Sequence, residues 1–397
     1  MLTYLRTPPA LVCLLSVGLV LGLSGSAPAR SVRSRVGRTA GVATAHRAMA
    51  HGRLAPAPPR SQDASTAGAA LTEGSGSRRP GSLTIPNIRD GAFSRFFSPH
   101  SFWNEPLSAN APRDPDSAGM VAKLMTYVKA QLAAKNGPWL NASHDGVAIV
   151  TVPANQPTVR VTLVNHSPDP ALSAAWSAVP LPSSAQPSNG DGDLAVWQPA
   201  TDRLWEFFEL AHTSSGWQAD WGGAMHNVSS NPGVYTAAAW PGAKSWWGVT
   251  AASLSIVGGA ITVNDLAAGQ IDHALALVVP DTRRGWYASP AERDDGQSTS
   301  RDSLPEGAHL RIDPSLNLAN LNMPPLTRMI AEAAQRYGII VRDTSPIVAF
   351  VGQDPTGNPA AQSVYVSAYG GLDAWQLMSY FPWSHLQVLR MDRHRGS

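Results

Sequence analysis

Hydrophobic positions change their spacing along this chain, and each change predicts an element. Between Ser117 and Lys135 apolar residues recur at 120, 121, 124, 125, 128 and 132, one face of a helix. Ser117 would cap its start and Gly137-Pro138 would stop it. Strand-like runs follow at Val147–Val152, Val159–Val164, Leu194–Trp197 and Leu204–Leu210. Others come at Ala260–Val263, His273–Val279, Ile339–Val341 and Ile347–Val351. Pro324-Pro325 opens a second helix, Leu326 to Tyr337, which Gly338 ends. The turns between strands are rich in Gly, Pro, Asn and Asp, and βα alternation is irregular. This pattern predicts a mostly β fold, sandwich-like or jelly-roll-like, with a few peripheral helices. Residues 87–397 contain no internal repeat or linker-like stretch and read as a single β-rich domain.

The first 86 residues break this pattern. Arg6 precedes an apolar run from Leu11 to Leu23, and Ala27-Pro28-Ala29 supplies small residues for cleavage. That layout reads as a secretory signal peptide over residues 1–29. The run falls short of the ~20 residues a bilayer core requires, so no transmembrane segment is expected. The protein is therefore expected to be secreted and extracellular. Residues 30–86 contain no aromatic residue and read as a disordered basic linker.

Charge sharpens the division. The linker carries nine Arg against Asp63 and Glu73, a net +7, and Arg6 is the only charge before it. The chain total of +2 therefore leaves −6 for residues 87–397. Nucleic acid is not the expected partner of such a body, because phosphate binding needs a concentrated positive face. Arg30, Arg33, Arg35 and Arg38 suit association with anionic cell-wall polymers or lipid. The single cysteine, Cys13, lies in the apolar run, so a structural disulfide and a Cys-ligated zinc are both excluded.

The chemistry concentrates between residues 193 and 247, which hold seven of the thirteen Trp. Any of these could be core, but those near glycines, Trp221, Trp246 and Trp247, read as loop residues suited to sugar rings. Leu194–Trp197 and Leu204–Leu210 read as a hairpin that sets Ala195 opposite Glu206 and Gln198 opposite Arg203. Strand alternation then puts Asp193, Trp197 and Glu206 on one face, with the two carboxylates diagonal neighbours about 7 Å apart. Paired carboxylates beside tryptophan suit cleavage of a glycosidic bond. Glu206 could equally pair with Arg203, and Asp193 could cap a turn. Glu209 is the reserve candidate. His273, at the mouth of an apolar strand, could orient a carboxylate or carry a proton. His226, Asn227 and Asn231 could bind hydroxyls. The chain lacks the GxGxxG, P-loop, HExxH, GxSxG and EF-hand patterns. No cofactor is expected, although carboxylates leave room for a structural Ca²⁺.

Six segments carry a resemblance. They are Phe96-Phe-Ser-Pro-His-Ser-Phe-Trp-Asn104, Leu204-Trp-Glu-Phe-Phe208 and Trp221-Gly-Gly-Ala-Met225. The others are Gly269-Gln-Ile-Asp-His-Ala-Leu275, Pro324-Pro-Leu-Thr-Arg-Met-Ile330 and Ala334-Gln-Arg-Tyr-Gly-Ile-Ile-Val-Arg-Asp343. Together they resemble a largely uncharacterised family of secreted actinobacterial-type proteins over about residues 93–390. The resemblance implies one exported β-sandwich-like domain, with an acidic residue at Glu206 and a histidine at His273. Relatives often carry Asp near Asn227, where this chain departs. No reaction comes with the resemblance.

Two functions compete on the residues. One is a glycoside hydrolase acting on an extracellular or cell-wall polysaccharide through Glu206 and Asp193, with His273 in support. Trp197, Trp221, Trp246, Trp247 and Asn231 would bind the substrate. The other is a lectin-like domain using the same tryptophans without cleavage. A polysaccharide lyase using His273 and Tyr235 ranks lower, because only Arg203 and Lys244 supply cations between 161 and 282.

Overall fold

A computed structural model describes residues 95–396 except 144, 166, 167 and 357. The expected signal peptide and linker lie outside the described residues. All described residues belong to one compact unit. Among them no helix is long and apolar enough to cross a membrane.

Two larger sheets carry the fold. The five-stranded sheet runs in the order Gln353–Asp354, Val147–Thr151, Leu194–Gln198, Arg203–Phe208, Trp221–His226. Its first two pairings are parallel and its last two antiparallel. The six-stranded sheet runs Trp139–Asn141, Ala349–Val351, Leu275–Val279, Ile339–Thr344, His309–Ile312, Leu386–Val388, again with both kinds of pair. The architecture is thus mixed α/β, with several sheets and helices and no closed barrel among the described residues. A jelly roll would need antiparallel neighbours throughout. Parallel neighbours instead require crossovers, and helix Pro325–Arg336 lies on the one joining Leu275–Val279 to Ile339–Thr344.

Each sheet has its own core. Trp176, Trp205, Phe207, Tyr235 and Trp247 pack in the first, and Leu310, Ile330, Phe350 and Leu377 in the second. Helix Ser117–Ala134 buries Met120, Leu124 and Val128, as the four-residue spacing requires. Lys135, left-handed, ends it, and Asp116 rather than Ser117 precedes it. The Ser117 hydroxyl instead accepts from the Val388 amide at 2.9 Å, tying this helix to the second sheet.

Two local expectations fail for identifiable reasons. The run 260–263 forms no strand. Thr262 and Asp265 make a reciprocal capping box that starts helix Val263–Ala268. Trp221-Gly-Gly is not a loop but the start of strand Trp221–His226. Its glycines serve close approach: a Cβ on Gly222 would fall on the Glu206 carbonyl, and one on Gly223 on the Tyr235 ring.

Candidate functional site

The hairpin forms in the expected register, with Ala195 opposite Glu206 and Gln198 opposite Arg203. Its turn is the short helix Pro199–Thr201 followed by Asp202 in the left-handed region. Glu206, however, is fully buried rather than open to a groove. The phenol of Tyr235 donates to its Oε2. Ser255 Oγ donates to Oε1 at 2.5 Å, and the Val257 amide at 3.4 Å. Burial pushes the carboxyl up, and these donors oppose the shift. Glu206 therefore pins the segment Ser255–Val257 from inside the core, and Arg203, its alternative partner, is exposed with its guanidinium 5.8 Å from the Trp240 ring centroid.

Most of the other expected site residues are also placed elsewhere. Asp193 lies just before its strand, and burial pushes its pKa well up, with Asp191 and, more weakly, Glu206 adding to the rise. Trp247 is fully buried, and its Nε1 donates to Asp169 at 2.9 Å. Trp221 is half-buried against the same core, and Trp246 is 50% exposed on its own. Asn231 Oδ1 accepts from the amides of Gly233 and Val234, so it shapes a turn. Glu209 is exposed at a left-handed position. Trp197 and His273 do come together, on the walls of a cleft.

This cleft, about 540 Å³, opens where strand Gln353–Asp354 meets the start of helix Val263–Ala268 and the segments 95–104 and 257–260. One wall is aromatic, with Phe96 edge-on to Trp197 at 5.6 Å. Asn104 fixes that wall by donating its amide to the carbonyls of Phe96 and Ser98 at 2.7 and 2.9 Å. Gly258 and Gly259 pack on Trp103, where a Cβ on either would meet the indole.

The facing wall is polar. His273 donates Nε2–H to Asp265 Oδ2 at 3.2 Å and Nδ1–H to the Ala274 carbonyl at 2.8 Å. Burial pulls the imidazole pKa down, but the Asp265 charge and hydrogen bond outweigh it and leave the pKa raised. Asp265 Oδ2 also accepts the Thr262 amide and hydroxyl, each at 2.7 Å, so the dyad is tied to the helix start. Asp354 differs. Its Oδ1 accepts from Thr356 N and Oγ1 at 2.8 and 2.5 Å, while Oδ2 is buried and receives no donor among the described residues. Asp265 and Asp354 both bear on Tyr365, whose phenol is pushed well up by burial first and then by surrounding groups. The residues that sequence reasoning missed here are Asp265 and Asp354. The Thr262-x-x-Asp265 spacing was the available signal for the first.

A second acidic group lies elsewhere. Oxygens of Asp295, Glu306 and Asp343 sit within 4.8 Å of one another. Thr282 and Thr344 hydroxyls adjoin Glu306 Oε1, each at 3.4 Å. Burial, then a hydrogen bond with Asp295, pushes Glu306 well up. Among the described residues this oxygen-rich set is the one that could hold a hard cation such as Ca²⁺. The charge of Asp343 also bears on two arginines, Arg293 and the buried Arg342.

Comparison with known proteins finds no matching family model, no matching curated sequence and no matching solved structure.

Proposed function

We propose that the protein is exported and binds an extracellular saccharide in the cleft between the Phe96–Trp197 wall and Asp354. The observation that carries this reading is the uncommitted Oδ2 of Asp354. A buried acceptor without a donor costs about 1–3 kcal/mol, and a hydroxyl-bearing ligand would remove that cost. An aromatic wall facing hydrogen-bonding groups suits a sugar ring, apolar on its C–H face and polar at its rim.

Recognition is favoured over cleavage by the state of the protons. Both N–H groups of His273 are already donated, to Asp265 and Ala274, so the dyad has none directed at a leaving oxygen. Of the carboxylate pair expected to cleave, Glu206 supports a structural role more than a catalytic one, because Tyr235, Ser255 and Val257 hold both its oxygens in the core. Glycoside hydrolysis is the second reading, and Asp354 favours it as the carboxylate free to activate water. Titrating the full chain against a polysaccharide panel, while assaying for new reducing ends, tests both. Saturable binding that Asp354→Asn weakens at least tenfold, without new ends, supports recognition. New ends that Asp354→Asn abolishes would establish hydrolysis. Loss of neither binding nor cleavage in the variant would remove the cleft from consideration.

A further inference from the structure

We propose that the face built by strands Trp286–Ala288 and Arg393–Arg395 docks a uronate-bearing polysaccharide, independently of the cleft. The two strands pair antiparallel, with Trp286 opposite Arg395, Tyr287 opposite His394 and Ala288 opposite Arg393. This register gathers cations around one indole. The guanidinium of Arg395 lies 4.3 Å from the Trp286 ring centroid, and that of Arg283 lies 5.0 Å from it. Tyr287 and His394 stack beside them at 5.2 Å.

The charges here are unequal in their commitments. Arg393 is held by Asp114 at 2.7 Å and by Asp116 at 3.6 Å, and His394 lies 3.3 Å from Asp392. Arg283, Arg284, Arg301 and Arg395 form no ion pair among the described residues, and all but Arg283 are exposed. Burial, then repulsion from Arg393 and Arg301, pulls the Arg283 pKa down, so Arg283, Arg301 and Arg393 lie close enough to oppose one another. Arg283, Arg301 and Arg395, three guanidinium groups without an ion pair among the described residues, gather on one face of a body with net charge −6 and form a local field opposite to the average. Guanidinium forks match carboxylates two bonds at a time.

The same geometry selects among polyanions. Single-stranded nucleic acid binds by stacking bases on open aromatic faces. Two guanidinium groups lie against Trp286, leaving ionic pairing as the chief means of recognition. The face is a two-stranded ribbon of three residues each, too short to follow a duplex groove.

The test compares the full chain with an Arg283→Ala/Arg395→Ala variant for binding to polygalacturonate, dextran and duplex DNA. Linker charge is the same in both proteins, so the difference reports this face alone. We expect at least tenfold weaker polygalacturonate binding by the variant, a shallower salt dependence, and no binding of dextran through this face. Arg301→Ala, at an exposed site, should weaken binding in the same direction and controls for misfolding in the double variant. Equal affinity of wild type and both variants would overturn the proposal. Tighter binding of DNA than polygalacturonate, lost with the same arginines, would also overturn it.

Discussion

Glu206 and Asp354 sit on the same five-stranded sheet, and both are almost closed to solvent, at 0% and 4% exposure. Their partners differ. Glu206 receives Tyr235, Ser255 and Val257 across its two oxygens, whereas Asp354 has one oxygen served by Thr356 and the other by no donor among the described residues. Similar burial therefore leaves these two carboxylates with different donor counts, and the binding role proposed for Asp354 rests on that difference. The saturated group holds Ser255–Val257, which leads into the cleft wall at 257–260, and Asp354 is itself one of the residues lining the cleft.

The largest expected effect comes from emptying the saturated site. Glu206→Ala would leave the Tyr235 and Ser255 hydroxyls without an acceptor in the core and open a cavity beside them. We expect a loss of about 3 kcal/mol or more, read as a lower urea midpoint. A midpoint within experimental scatter of wild type would show that Glu206 is not a hub, and the comparison with Asp354 would collapse.

Asp354→Asn should do the reverse. Oδ1 keeps its Thr356 contacts, so unfolding should shift by less than about 1 kcal/mol, while saccharide affinity falls at least tenfold. A variant that loses stability as much as Glu206→Ala would mean that Oδ2 is committed in the fold after all.

Two histidines give the comparison a pH axis with opposite signs. Burial lowers His309 to about 4, and its Nε2–H donates to the Tyr337 carbonyl at 3.0 Å. The unfolded chain takes up that proton near the ordinary value of about 6.5, so stability should fall as pH drops from 6.5 towards 4. His273 is raised by Asp265. Its contribution is fully present below about 6.5 and is lost as pH rises through the folded value. Unfolding curves across pH 4–9 for wild type, His309→Gln and His273→Gln should separate the limbs. An unchanged acid limb in His309→Gln would contradict this account of His309.

What the sequence made legible was local. The hairpin register followed from alternation around Pro199–Asp202, and the helix over Ser117–Ala134 from a single apolar face. Trp221-Gly-Gly misled because glycine marks two different needs. Here it admits the Tyr235 ring against a strand rather than making a turn. The cleft was hidden by topology: Trp197, Asp265 and Asp354 come from distant parts of the chain and meet only through parallel pairing of Gln353–Asp354 with Val147–Thr151. The acidic trio was hidden in the same way, since Asp295, Glu306 and Asp343 have no shared periodicity.

The smallest effect belongs to Glu306, a third kind of buried carboxylate, whose pKa burial pushes well up. Burial and Asp295 hold its pKa well above the unfolded value, so the native state binds a proton that the unfolded state releases as pH rises. Its contribution is therefore most favourable at low pH and becomes a cost once the unfolded side chain ionises. Glu306→Gln keeps the shape, removes the titration and can still donate to Asp295. In buffer containing EDTA the variant should match wild type within about 1 kcal/mol at pH 5 and equal or exceed it at pH 8. Parallel urea midpoints at the two pH values measure this. Lower stability of the variant at pH 8 would mean that Glu306 is ionised in the fold and paired with Arg293 rather than protonated against Asp295. A loss confined to Ca²⁺-containing buffer would instead assign Asp295, Glu306 and Asp343 to a cation.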